Sequence, residues 1–284
     1  MKFENTNVYN FENALRGMRN PLESWGRSDS KFGFALIRDF TADSEVAAAY
    51  INKEESSLNE TDKIDFQRGS MAKECLKWLQ DNGIKSYSNG VIQYNLIGPN
   101  DMYLARKLIL GGSEHRKFLR QIFVTVDITA PMYWWSEFDT YKVGTTANST
   151  SKMHKITSKP ITLDCFEVDD YNNELVVKQT VKDNDPSEHP SSVECFKTNH
   201  LVQMAIDSFE LLRQKYLETN DKRYWKELIR WLPTSWLQTR TVTMNYENLR
   251  TIYHQRKHHK LSEWSKSFCN WVKTLPYASS FITE

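Results

Sequence analysis

Gln121 to Ile156 reads QIFVTVDITAPMYWWSEFDTYKVGTTANSTSKMHKI. Its start alternates Ile122, Val124, Val126 and Ile128 with Phe123, Thr125, Asp127 and Thr129. A period of two predicts a strand with one face buried. Pro131 follows, suited to the first turn of a helix, where its missing N–H costs nothing, and Tyr133 to Tyr141 should carry that helix. Thr140 to Lys152, TYKVGTTANSTSK, then reads as a loop rich in hydroxyls and lysine. A nucleotide phosphate needs short hydroxyls and N–H groups near its oxygens, with cations to offset its charge. Thr150 and Lys152 supply both within three residues; a polar loop without a ligand is the other reading of the same residues.

Outward from that stretch, Phe11 to Met18 reads as a short helix ended by Asn20-Pro21, and Phe34 to Ile37 as an apolar strand. Met71 to Gln80 is amphipathic, with Asn82-Gly83 as a stop, and Val91 to Ile97 is a strand closed by Gly98-Pro99. Met102 to Leu110 should be helical up to Gly111-Gly112, and Leu201 to Leu217 and Arg223 to Trp231 are amphipathic helices. Asn245 to Leu275 reads as one long helical region with Leu261, Trp264, Phe268, Val272 and Leu275 on a stripe. Residues 157–198 carry little signal, apart from a polar, mobile loop near Asp183 to Ser192.

The composition narrows the function. A length of 284 residues allows a sizeable core, and a net charge of +1 from scattered basic residues argues against a nucleic-acid or anionic-membrane partner. No apolar run is long enough to span a bilayer, and MKFENTNVYNFENALRG lacks the apolar core of a signal peptide. The four cysteines form no CxxC pair, so neither a metal site nor a disulfide framework is expected, and a cytoplasmic location is. No GxGxxG and no P-loop occur. The nine tryptophans read as core and subunit interface, with a nucleic-acid stacking platform as the other reading.

A second block, Leu232 to Arg256 (LPTSWLQTRTVTMNYENLRTIYHQR), places Asn245 twelve residues after Pro233 and Arg256 eleven after that. Together the two blocks resemble the signature regions of flavin-dependent thymidylate synthases, over residues 112–156 and 228–265. The family pattern RHRxxSxNExSxR lies without gaps on Thr140 to Lys152, flanked by Ala130-Pro131 and Lys155-Ile156. Its final Arg becomes Lys152, its serines Thr145 and Thr150, its third-position Arg Lys142 and its Glu Asn148. A family Gln falls on Glu137, and a family Arg four residues before the Pro falls on Ile229, next to Arg230.

The resemblance implies an α+β fold, a single domain over residues 1–284 with a central, largely antiparallel sheet flanked by helices. It implies methylation of dUMP to dTMP, with FAD as cofactor, NADPH and methylenetetrahydrofolate as co-substrates, and a homotetramer. Arg256 would activate the pyrimidine, a task for a cation that stays charged; a solvated helix cation is its other reading. Lys152, Thr150 and Ser151 would hold the phosphate, with Glu137, Asn148 and Arg230 also on the nucleotide. His115, Thr140, Tyr141, Lys142, Asn148, Asn245, Glu247 and Thr251 would line the flavin. The chain departs from the family at Thr140-Tyr141-Lys142, where Arg-His-Arg is expected, and at Glu247, where an Arg is; Arg250 lies three residues beyond. The exchanges at Glu137 and Asn148 keep open a different pyrimidine reaction, such as hydroxymethylation, and a catalytically silent nucleotide-binding protein.

Overall fold

A computed structural model describes residues 1–36, 84–86, 91–169, 172, 174–180 and 193–284. The expected helix at Met71 to Gln80, the loop at Asp183 to Ser192 and residue Ile37 lie outside them. In order, the elements are β1 (Lys2–Tyr9), α1 (Phe11–Met18), β2 (Lys31–Leu36), β3 (Ile84–Ser86), β4 (Val91–Leu96), α2 (Pro99–Leu110), β5 (Phe123–Pro131) and α3 (Met132–Phe138). Then come β6 (Thr146–Ser149), α4 (Lys152–Lys155), β7 (Val176–Thr180), β8 (Val193–Lys197), α5 (Thr198–Thr219) and α6 (Lys222–Trp231). The chain closes with β9 (Leu237–Asn245), α7 (Tyr246–Arg256), a π-helix at Glu263–Phe268, α8 (Cys269–Lys273) and a π-helix at Ser279–Thr283.

The central sheet has the order β1-β5-β9-β6. On β5, Val124, Val126, Ile128 and Ala130 are fully buried, as the alternation requires. The opposite register is hydroxyl-rich: Thr125 meets Thr243 at 3.1 Å, Asp127 accepts from Thr241 at 2.6 Å and Thr129 meets Thr239 at 2.7 Å. Rising positions on β5 meet falling positions on β9, which makes the pair antiparallel. Separate antiparallel sheets join β4 to β2 and β3, and β7 to β8.

Two compact units emerge, one of residues 1–2, 127–140 and 147–241, the other of residues 3–126, 141–146 and 242–284. The first has a core of Ile156, Ile161, Phe166, Ile206, Phe209 and Leu228. Trp134 and Trp135 are also fully buried there, with Phe138 stacked 4.9 Å from Trp134, so these two tryptophans are core. The second buries Phe11, Leu15, Tyr246, Trp264, Phe268 and Phe281. Its core also contains an ion pair: Asp101 accepts from Arg19 at 2.5 Å and from the Ser28 hydroxyl at 2.6 Å.

Several boundaries differ from expectation, among them β2, which starts at Lys31, and α5, which starts at Thr198. α2 starts at Pro99 instead of Met102, because the Asp29 carboxylate accepts the N–H groups of Asn100 and Asp101 at 2.9 and 3.2 Å. Pro131 ends β5 and caps α3 instead of occupying its first turn. α3 stops at Phe138, short of Tyr141, where the Thr140 N–H and hydroxyl both turn back to the Glu137 carbonyl. The long helix expected from Asn245 to Leu275 breaks after Arg256. The run Lys257-His258-His259-Lys260 offers no apolar row and sets like charges at helical spacing. The predicted stripe survives at Trp264, Phe268, Val272 and Leu275, which are buried, while Leu261 is 36% exposed.

Candidate functional site

Arg256 sits in the last turn of α7. That helix forms where it does because Asn245 and Asn248 make a capping box: the Asn245 side chain accepts the Asn248 N–H at 2.9 Å, and the reverse bond is 3.3 Å. Arg256 Nε donates to Tyr141 Oη at 2.7 Å, and Tyr141 Oη donates to Gln255 Oε1 at 3.0 Å. The guanidinium carbon lies 5.5 Å from the Tyr141 ring centroid and 5.2 Å from that of Trp264, both within cation–π range. Tyr141, expected beside a flavin, is therefore a neighbour of Arg256. Trp264 was legible only as a core residue.

The turn that carries Tyr141 is tied to the start of α7. Asn248 Nδ2 donates to the Val143 carbonyl at 2.7 Å, and Gly144 has φ +71. A Cβ at Gly144 would come within 2.9 Å of both Asn245 Nδ2 and Asn248 Oδ1, so close approach and positive φ both require glycine. Beside it, Thr145 Oγ1 is buried with no hydrogen-bond partner among the described residues. Lys142 is exposed, as are Thr251 and His115.

Glu247, where the family carries a cation, is ion-paired: Arg116 Nε lies 2.8 and 3.0 Å from its two oxygens. Arg116, unnoticed in the sequence, thus neutralises the carboxylate that stands here. Arg250 does not do so; its Nη1 donates to the Ile282 carbonyl at 3.2 Å. Burial first, then the neighbouring Arg116 charge, lowers the Arg250 pKa.

The stretch Thr140 to Lys152, expected as loop, contains strand β6 and runs into helix α4. β6 is exposed along its length, Asn148 included, and its polar residues carry no apolar alternation that could have revealed it. Thr150 is bonded to β9: its N–H and its hydroxyl both donate to the Thr239 carbonyl, at 2.9 and 3.1 Å. The hydroxyl proton is committed to backbone. Ser151 caps α4, accepting the His154 N–H at 3.2 Å and lying 2.7 Å from His154 Nδ1. Lys152 is the first residue of α4 and half-buried, as is Glu137 on α3. Thr140 is exposed beyond its end.

The family cation's position is Ile229, with Arg230 next to it. Ile229 packs on the Leu228 core cluster, and one residue turns a helix by about 100°. Arg230 is exposed and ion-paired with Glu227, whose other oxygen accepts Trp231 Nε1 at 2.9 Å.

Sequence reading missed Arg240. It pairs with Asp139 at 2.7 Å and lies 4.2 Å over the Trp135 ring. A signal was available: Gln238 and Arg240 occupy the register of β9 that Val242 and Met244 bury. Polar residues on the core face of a strand need partners, and they mark a built arrangement.

With this geometry in hand, comparison with solved structures finds the flavin-dependent thymidylate synthase ThyX of Helicobacter pylori, complexed with FAD and dUMP. It aligns at TM-score 0.53 and 12% identity over 99% of this chain and 98% of that one. The fold is that of ThyX. A second structure of the same enzyme, with FAD and dUMP, aligns at TM-score 0.52 and 12% identity over 100% and 98% of the two chains. A UMP/dUMP methylase, PolB of Streptomyces cacaoi bound with 5-Br UMP, covers 66% of this chain and 85% of its own at TM-score 0.42 and 17% identity. No sequence family matches the chain, and no curated protein does. No helix among the described residues is long and apolar enough to cross a membrane.

Proposed function

We propose that the chain is a flavin-dependent enzyme of the ThyX type that methylates dUMP to dTMP. Methylenetetrahydrofolate would donate the carbon, and NADPH the electrons. The observation that carries this reading is Arg256: a guanidinium held by the Tyr141 oxygen and flanked by the Tyr141 and Trp264 rings. Such a group stabilises negative charge developing on a pyrimidine ring. That charge favours loss of the ring N3 proton and makes C5 more nucleophilic. Lys152 and Ser151 bind the phosphate, with Thr150 contributing backbone geometry instead of its hydroxyl. Glu137 and Asn148 meet the sugar or the base edge.

The donor set fits an anionic cofactor. Thr145 Oγ1 is buried and unpaired among the described residues, the exposed cation Lys142 lies three residues before it in the chain, and Arg116 is held by Glu247 in the first turn of α7. Bound there, FAD would supply the hydride chemistry. Asn245, with its side-chain oxygen committed to the cap of α7, shapes this cradle through Asn248 and Gly144. The reading extends to one catalytic domain over residues 1–284, assembled as a homotetramer in the cytoplasm.

The test is a visible spectrum of the purified protein together with tritium release from C5-labelled dUMP. A flavin chromophore and release dependent on methylenetetrahydrofolate and NADPH are expected. A colourless protein inactive with added FAD contradicts the reading. The acidic Glu137, half-buried where an amide is expected, favours one alternative, a different pyrimidine substrate, because a carboxylate accepts hydrogen bonds and an amide also donates. Thermal stabilisation by dCMP and not by dUMP would select it.

A further inference from the structure

We infer that Arg240 is a positioning residue: acting through Gln238, it sets the shape in which Thr150 to Lys152 receive a phosphate. This rests on the phosphate-binding reading of that segment. Gln238 is 8% exposed and the Arg240 side chain 13%, both on the register of β9 shared with Val242 and Met244. Charge and amide so placed lose water and need replacement partners.

They have them, in sequence. The Arg240 guanidinium stacks over Trp135 at 4.2 Å, Nη1 donates to Asp139 Oδ1 at 2.7 Å, and Nε donates to Gln238 Oε1 at 3.0 Å. Trp135 is itself anchored, its Nε1 donating to the Gln238 carbonyl at 2.9 Å. With its oxygen held by a cation, the Gln238 amide has one orientation. Its nitrogen faces away from Arg240 and donates to the Thr150 carbonyl at 2.8 Å.

Thr150 is also held from its other side, by the bonds of its N–H and hydroxyl to Thr239. Both backbone polar groups of one residue are thus fixed by β9. A trans peptide is planar, so fixing the Thr150 carbonyl also fixes the direction of the Ser151 N–H. That N–H opens the segment running into Lys152. Arginine suits this task because its planar fork donates in two directions while its face stacks; lysine offers a point charge without the fork.

Two variants test the chain of contacts. Arg240→Lys keeps the charge and removes the fork. Gln238→Glu keeps an acceptor for Arg240 and removes the donor to Thr150. Amide hydrogen exchange over residues 148–156, with β5 amides as internal reference for intact folding, is read on the nucleotide-free protein. Dissociation constant, KM and kcat are then read with dUMP.

Both variants should raise exchange in the segment about tenfold, with β5 unchanged. The dUMP dissociation constant and KM should rise about tenfold while kcat stays within about twofold. Unchanged exchange and unchanged affinity in both variants would overturn the inference, and so would exchange that rises equally in β5. Faster segment exchange in a chain whose wild type binds no dUMP would uphold the clamp and sink the proposed function, so the two failures are distinct.

Discussion

Arg256 is held by two kinds of contact that do different work. The rings of Tyr141 and Trp264 confine its plane, and the Tyr141 oxygen fixes its rotation by accepting from Nε. Tyr141→Phe removes the oxygen and keeps the ring. It should lower kcat with dUMP roughly tenfold to a hundredfold, with KM little changed, because the loss is one of aim; steady-state kinetics reads the split. The Arg19–Asp101 pair presents the opposite case, a buried pair with structural work. Burial raises the Asp101 pKa, but hydrogen bonds from Ser28, Ser30 and Arg19, with the Arg19 charge, outweigh it and leave it below the usual carboxylate value. Asp101→Ala leaves Arg19 buried and unpaired and should destabilise the fold by about 3–5 kcal/mol, measured by denaturant unfolding. Neither partner choice was legible in the sequence, since Arg19 and Asp101 stand 82 residues apart. Spacing singles out Arg256 and register singles out Tyr141, but neither records the contact between them. Arg240 was overlooked because the β9 run was read for its aromatic and spacing features and not for the polarity of its inward face.

Elements with an asymmetric environment were the legible ones. β5 has one apolar face, so its alternation survives in the sequence and its buried residues follow it. α1 and α6 were found within a residue or two for the same reason. β6 is a short, exposed edge strand whose existence depends on pairing with β9, and nothing local records that. The break between α7 and the π-helix at Glu263 was legible in its charge run but was passed over in favour of the apolar stripe. On α5, Glu210 and Arg213 pair and hold residues 157–161, Glu210 accepting the Ile161 N–H at 2.7 Å and Arg213 donating to the Thr157 carbonyl at 3.0 Å. Chiefly the Arg213 hydrogen bonds, opposed by burial and aided by the Ile161 N–H, pull the Glu210 pKa from 4.5 to about 2. A depressed carboxylate stabilises the folded state above its unfolded pKa and ceases to do so as pH falls through the folded one. This contribution should therefore be complete above about 4.5 and disappear towards about 2. Urea midpoints across that window should fall more steeply for wild type than for Glu210→Gln.

At the scale of the whole chain, a ThyX-like fold extends over 99% of the residues at 12% identity. The two blocks that carried the sequence resemblance contain β5, β6 and β9, three of the four strands of the central sheet. The alignment also spans the rest of the chain, where the sequence carries no such likeness. A packed sheet requires apolar register and turn positions, and many residue choices meet that requirement. Pairings between charged and hydrogen-bonding side chains are set by particular partners, which is why Glu247 with Arg116 and Tyr141 with Arg256 have to be read from contacts. Ion pairing at Glu247 gives a charge prediction: Glu247→Gln should free the Arg116 cation and tighten FAD binding severalfold, by equilibrium dialysis, if Arg116 serves the cofactor.

The most direct measurement is calorimetric titration of dUMP into the wild-type protein, Lys152→Ala and Arg256→Ala. Saturable one-site binding by wild type, weakened about tenfold or more in each variant, is the predicted result. Binding that both variants retain in full, or no binding by any of the three, would contradict the assignment of this chain to pyrimidine monophosphates.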